Sequence, residues 1–243
     1  MAKQVGIYQF NGKLGEAVGS KARKGYQVVK RAPVATKNPS TKAQVIQRTI
    51  FAACAASGAA VPEGAIVGLR PYAKAGGMSI RNAFAKLLQK TGAIVATWHQ
   101  NTQDAITTFD KTKVVYARGN QPNIIAGAPQ FDTPQTVEFS YDMGDLNPNT
   151  TNIIVIVWCG DLKQFVVKKF TVLQPSGTLS IVCPSLWNGL SVSIYVYTQC
   201  FESADQKNAL YEAEIFAATG EIKVAESNAK YSNSAYIGSG AIG

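Results

Sequence analysis

Histidine is nearly missing from this chain. There is one, His99, and the four cysteines, Cys54, Cys159, Cys183 and Cys200, form no Cys-x-x-Cys pair. A structural zinc needs several Cys or His ligands converging on one point, so no metal and no cofactor are expected. Cys159, Cys183 and Cys200 stand in apolar runs, where a thiol acts as a small buried hydrophobe. Charge is scarce too. Asp, Glu, Lys and Arg make up 16% of the residues, against about 25% in an ordinary globular domain. Hydrophobic residues reach 46%, which excludes a chain that stays disordered. Gly, Ala, Ser and Thr fill the gap, and they favour strands, turns and assembly surfaces. Long apolar runs are also lacking. Phe51 to Leu69 is mostly Ala and Gly and is broken by Pro62 and Glu63, so it offers no unbroken apolar run of the roughly 18 residues that span a bilayer. Met1-Ala-Lys-Gln4 carries no apolar core of a secretory signal. The expectation is a protein made in the cytoplasm, with no membrane partner.

Catalytic patterns are absent in the same way. No P-loop and no His-Glu-x-x-His occurs. Gly238-Ser-Gly240-Ala-Ile-Gly243 matches the letters of a dinucleotide fingerprint. That mechanism needs a helix opening after the glycines and an acid further on, so the segment reads as a pliable tail. Asp142, Asp145 and Asp161 fall in turn contexts, where Asp bonds its own backbone, and a lone His99 beside Trp98 reads as a packed or surface residue. Asn149-Thr-Thr151 is only a turn. An enzyme is not expected.

What is present is a lopsided charge. Residues 1–118 hold 18 Lys and Arg against 4 Asp and Glu, whereas residues 119–243 hold 6 against 11; the net charge is +9. Lys21, Arg23, Lys24, Lys30, Arg31, Lys37 and Lys42 concentrate the positive charge near the start, with Tyr26 among them. Such a segment can follow phosphates and stack a base, or meet the acidic half of a neighbouring copy. These seven are the candidate contact residues, for a subunit or for DNA.

At 243 residues the chain suits one or two domains, at roughly 150 residues each. Val5 to Phe10, Lys13 to Gly19 and Tyr26 to Arg31 read as strands, with Asn11-Gly12 as a hairpin turn. Thr41-Lys-Ala-Gln44 has the capping-box form and opens a helix carrying Ile46, Ile50, Cys54 and Ser57 on one face. Gly58 is its expected stop. After a loop with Pro62, Gly64, Gly68 and Pro71, a second helix starts near Ser79 and buries Ile80, Phe84, Leu87 and Leu88. Residues 91–110 are mixed, because four threonines weaken a helix. From about 112 the period becomes two. Thr136–Tyr141, Ile153–Trp158, Phe165–Val172, Leu179–Cys183 and Val192–Tyr197 read as strands, and Ile153–Trp158 as a central buried one. Asn147-Pro148, Pro175-Ser-Gly177 and Asn188-Gly189 mark turns. Residues 203–230 read as an insertion before a last strand near Asn233 to Ile237.

Asn11-Gly-Lys-Leu-Gly, Val18-Gly-Ser, Lys24-Gly, Asn38-Pro-Ser-Thr-Lys-Ala-Gln, Gln47-Arg, Lys113-Val-Val-Tyr-Ala-Arg-Gly, Leu186-Trp-Asn and Asn233-Ser-Ala-Tyr-Ile-Gly together resemble an uncharacterised family of Bacteroidota and their phages. The resemblance implies an α+β fold: an N-terminal β-hairpin and two helices, followed by an antiparallel immunoglobulin-like β-sandwich. It carries no catalytic residues. The expected division is 1–110, a basic hairpin-plus-helices region, and 111–243, a sandwich with its own core around Ile154, Ile156 and Trp158. The phage context implies a virion structural protein that assembles with copies of itself and other virion proteins. A nucleic-acid-binding protein and a surface adhesion module are the alternatives.

Overall fold

The computed structural model describes residues 2–4, 12–14, 17–21, 27–31, 41–205, 207 and 229–242. The chain divides into two compact units, Met1–Gln44 and Val45–Gly243. In the first unit, β1 (Ala2–Gln4), β2 (Gly12–Leu14), β3 (Ala17–Lys21) and β4 (Gln27–Arg31) form an antiparallel sheet in the order β1-β4-β3-β2. The expected strand Val5–Phe10 and its turn residue Asn11 lie outside the described residues. The capping box forms as the sequence predicts. The Gln44 N–H donates to Thr41 Oγ1, and the Thr41 N–H donates to Gln44 Oε1, both at 3.4 Å.

Helix α1 (Lys42–Ala60) starts at that cap. It buries Cys54, with Ile50 and Ala53 packed beside it. Gly58 does not stop it. The helix continues to Ala60, and Gly58 is buried where a Cβ would stand 3.0 Å from the Arg81 carbonyl oxygen. A missing side chain there allows close helix approach, the other use of glycine. The expected loop after α1 contains two short 3-10 turns and a third helix, α2 (Arg70–Ala75). Helix α3 (Ile80–Thr91) begins with Ser79 Oγ accepting the Asn82 N–H at 3.2 Å and ends at left-handed Gly92. Phe84, Leu87 and Leu88 are buried on its inner stripe.

Residues 94–109 resolve the mixed reading into a hairpin. Strands β5 (Ile94–His99) and β6 (Asp104–Phe109) pair antiparallel, Ile94 opposite Phe109. Threonines that weaken a helix suit a strand.

Two further antiparallel sheets follow. The first has the order β11-β8-β7, from β7 (Ile125–Ala126), β8 (Thr136–Asp142) and β11 (Ser176–Val182). The second has the order β10-β9-β12, from β9 (Thr151–Cys159), β10 (Gln164–Thr171) and β12 (Ser191–Cys200). Along the far edge of β12 run β13 (Lys230–Tyr231) and β14 (Ala235–Ala241). One expected turn and the expected tail are corrected. Ser176-Gly177 belongs to β11, with Gly177 opposite Tyr141, because the bend is made earlier, around Gln174-Pro175. The glycine-rich tail is a strand. Gly238 and Gly240 lie in β14 against the Pro129 and Phe131 rings, so the glycines admit a close neighbour and open no helix.

The alternation of β9 explains its continuous apolar run. Ile153, Val155, Val157 and Cys159 join Val137 and Phe139 of β8, Leu179 and Ile181 of β11, and Val192 and Ile194 of β12 in a core between the two sheets. Ile154 and Ile156 point the other way, into a second core with Phe84, Leu87, Leu88, Tyr116, Tyr195 and Tyr197. The sandwich core expected around Ile154, Ile156 and Trp158 therefore lies one residue out of phase with the real one. Period two sends adjacent residues to opposite faces. Each fully buried Ile or Val contributes about 1.5–3 kcal/mol. Helices expected to group with residues 1–110 thus share a core with the sheets, and the compact units part at 44/45 instead. The architecture is α+β, helices with antiparallel sheets.

Candidate functional site

The seven basic residues singled out by the sequence are spread along the first unit. Lys21 pairs with Gln27 at one end of the β3–β4 ladder, and Arg31 with Ala17 at the other; Lys30 stands opposite Val18. Lys42 is the first residue of α1 and is exposed. Arg23, Lys24 and Lys37 lie outside the described residues. The register therefore separates Lys21 from Lys30 and Arg31 by most of a strand, and gathers no three of them at one rung.

The residues weighed for chemistry sit in local structural roles. His99 closes β5 at the surface, with its Nδ1 3.2 Å from Thr102 Oγ1 across the turn. Asp142 Oδ1 accepts the Gly144 N–H at 2.9 Å, and Asn147 Oδ1 accepts the Asn149 N–H at 2.9 Å. Both are Asx turns. All four thiols are buried and unpaired. Among the described residues no three His, Cys, Asp or Glu side chains gather to hold a metal ion, and no helix is long and apolar enough to cross a membrane.

A surface the sequence did not single out is the free edge of β11. This strand hydrogen-bonds to β8 along one side, and no described strand pairs with the other. Its seven residues, Ser-Gly-Thr-Leu-Ser-Ile-Val, carry no charge and no proline. Leu179 and Ile181 point into the inter-sheet core, leaving Ser176, Thr178, Ser180 and Val182 exposed. Large apolar side chains are exposed on β11 and in the segments just before and after it: Leu173 is 75% exposed, Val182 67% and Leu186 77%. No charged residue stands between Lys169 and Glu202. Soluble proteins normally protect such edges with lysine, proline, a bulge or a covering segment. An uncharged edge of this length, unpaired among the described residues, is instead a template for another strand. The signal available in the sequence was that uncharged interval, read beside an alternating strand.

Residues 9–213 match the family of unknown function DUF6266. The chain belongs to this family. Across DUF6266 the matched span takes in both helical and sheet elements from β2 to β12, whereas β13 and β14 lie beyond it. No curated protein and no solved structure matches the chain.

Proposed function

We propose that this DUF6266 protein is a non-enzymatic structural protein of a virion or phage-like element, acting by self-assembly and by assembly with other virion proteins. The observation that carries the reading is the β11 edge, uncharged, with Leu173, Val182 and Leu186 exposed on it and in the segments just before and after it. Two copies meeting edge to edge, antiparallel about a two-fold axis, would satisfy each other's backbone groups and cover these apolar side chains together. The phage setting and the Bacteroidota origin follow from the resemblance described above, and the location would be the virion.

The rigid body in this reading is an immunoglobulin-like sandwich. Lettering from β7 supports it: A-B-E falls on one sheet (β7, β8, β11) and C′-C-F-G on the other (β10, β9, β12, β14). That is the arrangement of strands in this class of sandwich. The basic first unit, with an N-terminal hairpin, would supply further subunit contacts or hold DNA.

Light scattering and electron microscopy of the purified chain test the proposal. The protein should form oligomers or particles, alone or with its co-encoded neighbours. Thr178→Lys with Val182→Lys should abolish them while leaving the melting temperature unchanged, since both side chains are exposed. A strictly monomeric species under all these conditions would sink the assembly reading. Replacing Lys21, Arg23 and Lys24 together with Glu separates the roles of the basic segment. Loss of assembly marks a subunit contact, whereas retained assembly with loss of DNA marks a nucleic-acid contact.

A further inference from the structure

A concavity of the second unit, about 1610 Å³, is lined by Arg70, Tyr72 and Lys74 of α2, Arg118 of the loop before β7, and Lys230 and Tyr231 of β13. Among the described residues no carboxylate lines it. Lys74, Arg118 and Lys230, from three separate chain segments, thus face one space, and their field selects anions. Lys230 Nζ lies 3.5 Å from Glu202 Oε1, but both side chains are well exposed, so the pair is screened and open to exchange for a stronger anion.

The groove also presents a flat surface. The Arg118 guanidinium lies over the Tyr72 ring, 4.9 Å from its centroid. Together they form a cation–aromatic platform of the kind on which a base stacks. The loop that carries Arg118 is held in place beforehand. The Arg118 N–H donates to the Gly68 carbonyl at 3.2 Å, and the Gln121 N–H to the Tyr231 carbonyl at 3.1 Å. Asn120, Gln121 and Asn233 add side-chain amides to the wall.

Size separates the ligand classes. Small-molecule pockets enclose roughly 300–1,000 Å³, and this groove is larger and open to solvent. It suits an extended chain that repeats negative charge and carries flat rings. From this geometry we propose that the groove of Lys74, Arg118 and Lys230 binds single-stranded nucleic acid, with phosphates on the three cations and a base on the Tyr72–Arg118 platform. The site shares no residue with the β11 edge or with the seven basic residues singled out by the sequence.

Fluorescence anisotropy of the full chain with a labelled oligothymidylate, about 4–16 nucleotides long to match one binding unit, tests this. Three engaged phosphates should give a slope of log affinity against log salt of about −2, at about −0.7 for each. Lys74→Gln should make the slope shallower by about 0.7, and Lys86→Gln, a charge-matched change on the exposed face of α3, should not. Tyr72→Leu should weaken binding about tenfold at unchanged slope. Because Tyr72 also packs against the helix-side core, its variant is paired with Lys74→Glu, an exposed change that leaves packing alone. Four results would overturn the proposal. One is no binding at low salt. Another is binding as tight to polyglutamate as to oligothymidylate, and a third is tighter binding of a duplex. The last is binding lost in Lys21→Gln, Lys30→Gln, Arg31→Gln but untouched by Lys74→Glu.

Discussion

Gly119 passes the Tyr231 main chain so closely that no side chain fits between them; a Cβ built on Gly119 would overlap the Tyr231 carbonyl. That carbonyl also accepts the Gln121 N–H, and the Gly119 N–H donates to Asn233 Oδ1 at 3.4 Å. The segment leading away from Arg118 is therefore fastened to β13 through backbone that cannot move aside cheaply. Gly119→Ala should destabilise the protein by about 1–3 kcal/mol, the usual cost of overpacking. A urea titration checks it, and an unchanged midpoint would show that the loop shifts freely.

Within the helix-side core, helix and sheet meet through aromatic rings. Phe84 of α3 stacks on Tyr116 with centroids 5.4 Å apart, and Tyr116 meets Tyr195 of β12 edge-on at 4.7 Å. Phe84→Asp would bury an unpaired charge here, at a cost of several kcal/mol out of the roughly 5–15 kcal/mol that holds a domain folded. Helices and sheets should therefore loosen together. Limited proteolysis of the variant should leave no resistant fragment beginning near residue 112. Such a fragment would mean that the sheets fold without the helices.

That outcome turns on something only half legible in the sequence. The apolar run through Ile153–Trp158 marks a strand buried on both faces, and so it is. A run without alternation has no phase, however, and cannot say which residues face which layer; Ile154 and Ile156 went to the helices and Ile153 and Val155 to the other sheet. Gly238 and Gly240 misled for a different reason. Glycine lacks strand propensity, and what places it in β14 is the nearness of Pro129 and Phe131, more than a hundred residues away. Caps, in contrast, are local, and Thr41–Gln44 and Ser79–Asn82 were readable. The β11 edge depends on which strand fails to pair, and the groove cations sit at 74, 118 and 230. Neither is a pattern along the chain.

Burial governs the thiols as well. It pushes the Cys183 thiol up to about 11, with the neighbouring Cys159 thiol adding to the effect, and it raises Cys54. At pH 8 roughly one Cys183 in a thousand would be thiolate, the reactive form. Native protein should leave Ellman's reagent unreacted, and guanidinium should release all four thiols. Fast reaction of one thiol before unfolding would mark a local opening of the core.

Lys207 is buried, and its ammonium donates to the Pro148 carbonyl at 2.7 Å and the Val172 carbonyl at 3.1 Å. Loss of solvation holds its pKa below the ordinary 10.5. The unfolded chain, with its lysine in water, keeps the proton to higher pH. Between the folded pKa and about 10.4 the unfolded state therefore binds more protons, and stability from this group rises with pH. Below the folded pKa both states carry the charge, and the burial penalty is present in full. The buried tyrosines Tyr116, Tyr195, Tyr197 and Tyr231 act in the opposite sense. Burial raises their pKa values, so the unfolded chain loses those protons first and stability falls above pH ~10. The informative quantity is the difference between the native chain and Lys207→Met, whose tyrosines are the same. Urea titrations from pH 7 to about 10.5 should show the native chain gaining stability relative to the variant as pH rises. A difference that stays flat across that range would mean Lys207 is as well solvated folded as unfolded, and that its two carbonyl bonds do not hold it in the protein interior.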